Sequence, residues 1–232
     1  MASVFGNNIK LSIFGQSHSE AIGMNFDGLP CGFKIDMDEL KLFLSRRAPG
    51  RSKLTSKRSE KDVPEFVSGL FDGKTCGAPL AALIYNEDVR SADYEDIKDS
   101  PRPSHADFTA EGKFRGYQDY RGGGHFSGRL TAALCVAGGI AIQMLERNGI
   151  KVKAVLESVC GQKSGIDELI AEAISEGDSL GGTIACTIGG LPCGVGEPMF
   201  DGLENRISQA VFAIPAVKGI EFGDGFKLSE LK

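Results

Sequence analysis

Two stretches near the start of the chain have the apolar and polar pattern of β-strands. Residues 10–14 form the first stretch and residues 22–26 the second. A polar break at 15–18 separates them, and a turn with Gly and Pro follows at 27–32. Short apolar runs bounded by such turn residues are typical of paired strands. The pattern predicts a β-hairpin with a polar tip at residues 15–18.

A helical pattern follows the hairpin. Apolar residues recur at helical spacing over positions 37–44, behind Asp36, and a Pro-Gly pair ends the pattern at 49–50. An aspartate before such a run can cap a helix, and Pro-Gly cannot continue one. The predicted helix therefore carries Arg46 and Arg47 at its C-terminal end.

The longest helical candidate covers residues 126–146 and is apolar nearly all round. A helix without a polar face is buried on all sides, so we expect this one at the centre of the fold. Its many Ala and Gly residues would let neighbouring elements approach closely. The pair Asn148-Gly149 supplies a stop signal.

The other elements complete an α+β pattern. We predict strands at 65–70, 80–85, 152–159 and 183–188, helices at 166–174 and 203–214, and a loop at 86–104. The order mixes hairpins with crossovers and does not alternate strand and helix throughout, which favours the α+β class over a doubly wound sheet. No repeat or linker divides the chain, so residues 1–232 are predicted to form a single domain.

Composition and charge exclude several classes of protein. The 232 residues are 41% hydrophobic and 25% charged, which is typical of a globular chain. The formal charge of -5 argues against a nucleic-acid partner but permits a local basic site for an anionic small molecule. No run of about 18 apolar residues and no secretory signal is present, so we expect no membrane association and a cytoplasmic location.

The six cysteines are far apart in the sequence. They never approach the two-residue spacing by which neighbouring thiolates share a metal, so no metal site is predicted. We expect free, buried thiols in a reducing compartment.

Residues 51–61 hold the strongest local concentration of positive charge, with five Lys and Arg side chains in eleven residues. Arg51 and Lys53 lie in this basic segment, just beyond the helix end that carries Arg47. The cations either form a solvated face or, together with the helix end, grip a phosphate or carboxylate.

Residues 69–75 invite comparison with a nucleotide-binding phosphate loop, because they combine two glycines with Lys74 and Thr75. That motif needs four residues between its glycines, and here there are three. We therefore predict a turn before the strand at 80–85, and no binding of ATP.

A glycine turn at 122–124 precedes the central helix. Such a turn at a helix start can present backbone amides to an anion or to an electron-rich ring, and Arg129 lies one turn further on. It can also be a simple helix start capped by Ser127 or His125. The dinucleotide fingerprint is not met, because Ser127 replaces its third glycine.

His18 and His105 are two of only three histidines. An imidazole titrates near neutral pH, so each residue is either a general acid or a solvated loop side chain. Prolines flank His105, and Asp107 next to it either holds its ring or caps a helix.

These blocks, in this order, resemble the chorismate synthase family. The matching segments run almost to the end of the chain: Gly15-Gln16-Ser17-His18, Asp27 to Gly32, Arg46-Arg47-Ala48-Pro49-Gly50 with Lys53, Ser68 to Pro79, Arg102 to Asp107, Asp119 to Gly124 with Ser127-Gly128-Arg129, and Val217 to Phe226.

The resemblance implies a reaction of the shikimate pathway of aromatic amino acid biosynthesis. It is the anti-1,4-elimination of phosphate from 5-enolpyruvylshikimate 3-phosphate, which gives chorismate and requires reduced FMN without net oxidation. By resemblance His18 protonates the departing phosphate and His105 assists protonation at the flavin. Anionic groups would be gripped by Arg47, Lys53, Arg102 and Arg129, with Arg46 and Arg51 as helpers, and the flavin would contact His125, Phe126 and Ser127.

The family also implies helices sandwiched between antiparallel sheets, a homotetramer, and in some members NADPH as the flavin reductant. The sequence departs from the family at Gln16, Lys53, His125, Phe126 and Gly128, where glutamate, arginine, Arg-Ser and alanine are more usual. We expect contact with the flavin through backbone amides at 125 and 126. The family's remaining third, which carries further flavin contacts, is expected to be missing, so the rival hypothesis is a folded portion that binds a ligand or partner without turnover.

Overall fold

The computed structural model describes residues 3–48, 61–87 and 100–232. Its strands are β1 (Val4–Phe5), β2 (Lys10–Gly15), β3 (Ala21–Asp27), β4 (Glu65–Ser68), β5 (Leu70–Phe71), β6 (Lys74–Thr75), β7 (Leu80–Tyr85), β8 (Lys151–Val159) and β9 (Gly182–Gly189). Its α-helices are α1 (Met37–Ser45), α2 (Asp107–Phe114), α3 (Thr131–Arg147), α4 (Ile166–Ser175) and α5 (Leu203–Val211).

The main sheet has five antiparallel strands in the order β1-β2-β3-β7-β4. The predicted hairpin is confirmed as β2 and β3, in which Ile13 pairs with Met24. Alternate residues of β3, namely Ile22, Met24 and Phe26, are buried. Because side chains alternate between the two faces of a strand, this period places one face of the sheet in the core.

Residues 69–75 form a tight hairpin of β5 and β6, as predicted for a turn. Asp72 and Gly73 at its tip have φ of 49° and 71°. Two consecutive positive φ values are those of a type I′ turn, for which Asp-Gly is a preferred pair.

Helices α1 and α3 pack together against the main sheet. Asp36 caps α1 as predicted, since its carboxylate accepts a hydrogen bond of 2.9 Å from the Glu39 backbone N–H. Leu40 and Leu44 of α1 are buried in the same cluster as Ala133 of α3. Gly139 of α3 allows close approach, because a Cβ there would lie 2.6 Å from Leu40 Cδ1.

The central helix begins later than predicted, at Thr131 instead of 126. Two 3₁₀ segments, Arg121–Phe126 and Gly128–Leu130, precede it, because three glycines with positive φ cannot continue an α-helix. Burial on all sides is also wrong: Val136 and Ile140 are buried, whereas Cys135 on another side is half-buried.

Among the described residues, the stretch Arg121–Arg147 is long and apolar enough to cross a membrane, with a mean hydropathy of 1.5. Half of its most apolar window is buried inside the protein. The α-helical part, α3, contacts β3 and β7 of the main sheet. Such packing is that of a core helix.

Strands β8 and β9 form a second, two-stranded sheet. The strand-helix-strand order of this segment predicts a crossover between parallel strands. Strands β8 and β9 instead pair antiparallel, with α4 in the connection between them. Helix α3 contacts β8 as well as the main sheet, so it lies between elements of two antiparallel sheets. The α+β class with helices between antiparallel sheets is therefore confirmed.

Helix α2 was not predicted, because residues 107–114 show little amphipathic pattern and bury only Ala110. One expectation about local structure, the burial of the cysteines, was wrong. The cysteines are free, but five of them are exposed and only Cys135 is half-buried. The exposed cysteines lie in turns or loops and in the second, two-stranded sheet. Apolar neighbours in the sequence do not bury a cysteine there, because few other elements cover these parts of the fold.

Gly139→Ala should destabilise the protein relative to Gly138→Ala. The new methyl at 139 would overlap the buried Leu40 side chain, whereas a Cβ at Gly138 would meet nothing within 4 Å. Overpacking costs about 1–3 kcal/mol, and alanine is favoured over glycine in a helix by up to about 1 kcal/mol. Urea unfolding should therefore show Gly138→Ala at or above wild-type stability and Gly139→Ala below it. Equal midpoints for the two variants would mean that the α1–α3 contact is loose.

Candidate active site

His18 lies against the glycine turn. Gly122, Gly123 and Gly124 all have positive φ, between 54° and 80°. A Cβ at Gly122 would lie 2.4 Å from Cε1 and 2.5 Å from Nδ1 of His18. Only a residue without a side chain permits this approach, and the backbone conformation itself favours glycine. The turn therefore forms a wall against one edge of the imidazole.

His105 lies against the next residue of the same turn. A Cβ at Gly123 would lie 3.9 Å from Cε1 of His105 and 3.6 Å from Nη2 of Arg102. Because consecutive Cα atoms are 3.80 Å apart, these contacts place the two imidazoles no more than about 13 Å apart. The structure thus brings together His18 and His105, which are 87 positions apart in the sequence.

The hairpin tip that carries His18 is not a solvated loop. Only 8% of His18 and 2% of Ser17 is exposed. The Ser17 backbone N–H donates to Gly124 O at 3.0 Å, which ties the tip to the glycine turn. Ser19 Oγ accepts from the Gln16 N–H and is held against two backbone carbonyls. The tip is therefore an ordered, enclosed support for the imidazole.

Arg102 is fixed by Asp107, the first residue of α2. Arg102 Nε and Nη2 donate to the two carboxylate oxygens at 2.8 and 3.0 Å, and the Arg102 backbone N–H donates at 3.1 Å. These hydrogen bonds hold the pKa of Asp107 below its usual value. Asp107 is therefore the partner of Arg102, and it also interacts electrostatically with His105. The predicted helix cap is wrong, because Asp107 is the first residue of α2 and the N-cap position is Ala106.

A buried carboxylate joins Arg47 and Arg129. Asp62, with a side chain only 2% exposed, accepts from Arg47 Nη1 at 2.5 Å and from Arg129 Nη1. Burial raises the pKa of the neighbouring Cys135 thiol, although Arg47 opposes that shift. Sequence reasoning missed Asp62, which directly follows the basic segment and has no distinguishing feature in its sequence context.

Asn86 is a second residue that the sequence reasoning missed. Its Oδ1 accepts from Arg129 Nε at 2.9 Å, and its Nδ2 donates to the carbonyl oxygens of Ser19 at 2.7 Å and Gln16 at 3.3 Å. It lies directly after β7, in a stretch that we predicted to be a loop. No feature of its sequence context marks it.

His125 is held by both ring nitrogens. Nδ1 lies 2.7 Å from Gly15 O and Nε2 lies 2.7 Å from Ser3 Oγ. A carbonyl oxygen can only accept, so Nδ1 carries a proton. The side chain therefore clamps the glycine turn to the end of β2. Ser127 Oγ accepts from the Arg129 backbone N–H and caps the short 3₁₀ segment, as one of the two predicted caps.

A cavity of about 280 Å³ opens on the α2 side of the turn. Aromatic side chains line part of it, together with Gly123, His125 and three carboxylates: Phe114, Tyr117, Tyr120, Phe126, Asp107, Glu111 and Asp119. None of the described residues that line it is Lys or Arg. Its aromatic walls suit a planar ring, and two of its three carboxylates, Asp107 and Asp119, are paired with arginines.

Asp119, one of these carboxylates, forms an ion pair with Arg121. Burial would by itself raise the pKa of Asp119, but the hydrogen bonds from Arg121 at 2.8 and 2.9 Å hold it below its usual value. Both oxygens are thus engaged at the edge of the cavity.

The remaining predicted site residues are placed differently. Arg46 is exposed and stacks over Phe43 of α1 at 5.7 Å, outside the Arg47–Asp62–Arg129 cluster. Arg51 and Lys53 lie outside the described residues.

The stabilising effect of the Arg102–Asp107 pair should disappear in acid. The folded-state pKa of Asp107 lies below the reference value of 3.8, so the ion pair stabilises the fold above that pH and loses its effect as pH falls through the folded pKa. Asp107→Asn should cost about 1–2 kcal/mol at pH 7, and its difference from wild type should shrink below pH 3.8.

Urea unfolding at pH 7, 5, 4 and 3 measures this dependence. Asp38→Asn, in the first turn of α1, controls for removal of a carboxylate from a helix start and should cost less. A constant difference between wild type and Asp107→Asn across the whole pH range would contradict the assignment.

Known proteins match nearly the whole chain. The family model described as chorismate synthase matches residues 9–232. A chorismate synthase of Chitinophaga pinensis is 47% identical over 228 residues, which cover 98% of this chain and 68% of the relative. Those of Korarchaeum cryptofilum and Thermococcus kodakarensis are 40% and 42% identical, and the matches cover 71% and 70% of those proteins.

A solved structure agrees with the fold. The protein described as "Crystal Structure of Chorismate Synthase" superposes with a TM-score of 0.77 over 97% of this chain and 71% of that one, at 22% sequence identity. Backbone agreement at that identity supports the architecture, and the family model with the closely related sequences supports the assignment. The chain belongs to the chorismate synthase family of lyases.

Proposed function

We propose that this chain catalyses the 1,4-elimination of phosphate from 5-enolpyruvylshikimate 3-phosphate to give chorismate, with reduced FMN and no net redox change. The observation that carries the proposal is the placement of His18 and His105 against adjacent residues of one glycine turn. Two imidazoles that can act as general acids, close to a cluster of arginines, suit removal of an anionic leaving group.

His18 is proposed as the acid that protonates the departing phosphate. Its ring is enclosed, with 8% of the residue exposed, so little water competes for its proton. The Gly122 wall and the Ser17–Gly124 hydrogen bond define where the ring lies. His105 is exposed, which leaves its ring accessible to a cofactor.

Arg47, Arg102 and Arg129 are proposed to bind the anionic groups of the substrate. The cluster of Asp62, Arg47 and Arg129 keeps one net positive charge, because one carboxylate lies between two guanidinium groups. The Arg102–Asp107 pair is neutral. A trianionic substrate requires more positive charge than these described pairs carry. We therefore keep Lys53 as a further proposed residue that binds these anionic groups, with Arg46 and Arg51 as helpers.

Reduced FMN is proposed as the cofactor, and it would lend electron density to the substrate transiently. The residues fit its ring better than its phosphate. Phe126 and the backbone at 125–127 would contact the ring, since the side chain of His125 is engaged by Gly15 and Ser3. The described residues that line the cavity include no Lys or Arg for the phosphate, which we place towards the arginines. NADPH is retained as a proposed reductant of the flavin.

We propose a cytoplasmic homotetramer without nucleic-acid or membrane partners. Three large apolar side chains in the second half of the chain are exposed: Met199 by 77%, Phe200 by 84% and Phe226 by 83%. They support the proposal, because contact between copies of the chain would bury them. Clusters of such side chains on a protein surface mark interaction sites.

His18→Ala and His105→Ala should each slow phosphate release by about 10²- to 10⁴-fold while FMN binding stays close to wild type. Phosphate release and chorismate absorbance are followed anaerobically with reduced FMN, and FMN binding is followed by titration. Oxidised FMN serves as the cofactor control and should support no turnover. Wild-type rates in either variant would remove that histidine from the mechanism, and absence of turnover in wild type would favour a ligand-binding portion without catalysis.

Gly122→Ala should impair turnover much more than Gly123→Ala. Both replacements impose an unfavourable positive φ, so the backbone strain is comparable. Only the methyl at 122 overlaps the His18 ring; the methyl at 123 would stay 3.6 Å from Arg102 Nη2. A displacement of about 1 Å can cost about 10² in rate. Equal kcat values for the two variants would show that contact with Gly122 does not set the position of His18.

A further inference from the structure

Asn86 joins two parts of the site that are remote in sequence. Its backbone N–H donates to Glu20 O at 3.0 Å, directly beyond the pairing of Tyr85 with Ala21. The β3–β7 ladder therefore continues by one hydrogen bond and sets the position of the Asn86 backbone. From there the side chain reaches both the hairpin tip and Arg129.

The side-chain bonds of Asn86 require an amide. Two donor hydrogens on Nδ2 serve the carbonyl oxygens of Gln16 and Ser19, and Oδ1 accepts from Arg129 Nε. The flipped orientation would place the NH₂ group against a guanidinium N–H and the oxygen against two carbonyls. The partners thus settle the orientation, and no aspartate or aliphatic side chain could make all three bonds.

Arg129 is a rigid partner for this link. Its side chain is 4% exposed and pairs with the buried carboxylate of Asp62, which also holds Arg47. On the opposite side, the two carbonyls that Asn86 binds flank Ser17 and His18 in the chain. Asn86 therefore connects a fixed cation to the backbone on either side of the enclosed imidazole.

We propose that Asn86 is a positioning residue, which holds the His18 tip in register with Arg129. The inference rests on the proposed function: the imidazole must donate its proton to a phosphate that the arginine binds, so the distance between the two groups matters for the rate. Asn86 acts through His18 and Arg129 and has no part in proton transfer itself. Loss of the link should lower kcat more than it raises KM.

The test compares Asn86→Ala and Asn86→Asp with a matched pair, Asn148→Ala and Asn148→Asp. Asn148 Nδ2 also donates to a carbonyl, that of Met144 at 2.8 Å, but at the exposed end of α3. Asn86→Asp keeps an acceptor for Arg129 and loses both donors to the tip. We expect both Asn86 variants to lower kcat about 10- to 100-fold, with KM within about threefold of wild type.

Measurements at different ionic strengths distinguish a displaced imidazole from repulsion between charges. The carboxylate of Asn86→Asp would repel an anionic substrate, and salt screens that repulsion, whereas a displaced imidazole stays displaced. The kcat loss of Asn86→Asp should therefore persist at high salt and match that of the uncharged Asn86→Ala. A loss that vanishes with salt, or a rise in KM with unchanged kcat, overturns the proposal.

A second readout does not depend on turnover. The chain has three histidines, so its imidazole Cε1–H signals can be assigned by replacing each histidine in turn. The His18 signal should shift in both Asn86 variants and stay in place in the Asn148 variants. If wild type releases no phosphate, the proposed function has failed, and the His18 signal still decides whether Asn86 positions the tip. An unshifted signal in folded Asn86→Ala contradicts the positioning role.

Discussion

The absence of side chains at three consecutive positions is the constraint on which the site depends. Gly122 and Gly123 present bare backbone to His18 and His105, and Gly124 takes a positive φ that brings its carbonyl to Ser17. Any Cβ at Gly122 would displace the imidazole. The same turn interrupts the approach to α3, which explains why the central helix begins only at Thr131. Local backbone geometry thus sets both the site and the start of the core helix.

Buried charge is the second organising feature. Removing ions from water is costly, and a buried pair repays that cost only with good geometry and additional hydrogen bonds. Asp62 meets this condition by binding two guanidinium groups, and Arg129 gains a further bond from Asn86. The arrangement fixes cations that would otherwise sample many rotamers. It ties β7, α1, α3 and the hairpin tip to one another around the site.

The apolar core is distributed unevenly along the chain. The main cluster runs from Ile22 to Ile140, and the described residues beyond it add only Val159 and Ala173 to the buried apolar set. Strand β8 leaves most of its apolar side chains exposed, and the apolar side chains of α5 are only half-buried. The site therefore sits on the well-packed part of the chain, whose rigidity suits groups that must be held within fractions of an ångström.

Local rules were sufficient for most elements of this protein. Apolar runs bounded by turn residues identified β2 and β3, an aspartate cap placed the start of α1, and a glycine spacing that does not fit a phosphate loop indicated the turn between β5 and β6. Each of these signals depends on residues that are close together in the sequence, so it can be recognised without the structure. The order of the motif blocks, a property of the chain itself, also identified the family.

Contacts between residues that are far apart in the sequence could not be predicted from these local signals. The roles of Asp62 and Asn86, the burial of His18 and the antiparallel pairing of β8 with β9 all depend on which surfaces meet after folding. Short-range signals set the elements, whereas contacts across tens of residues set the chemistry between them.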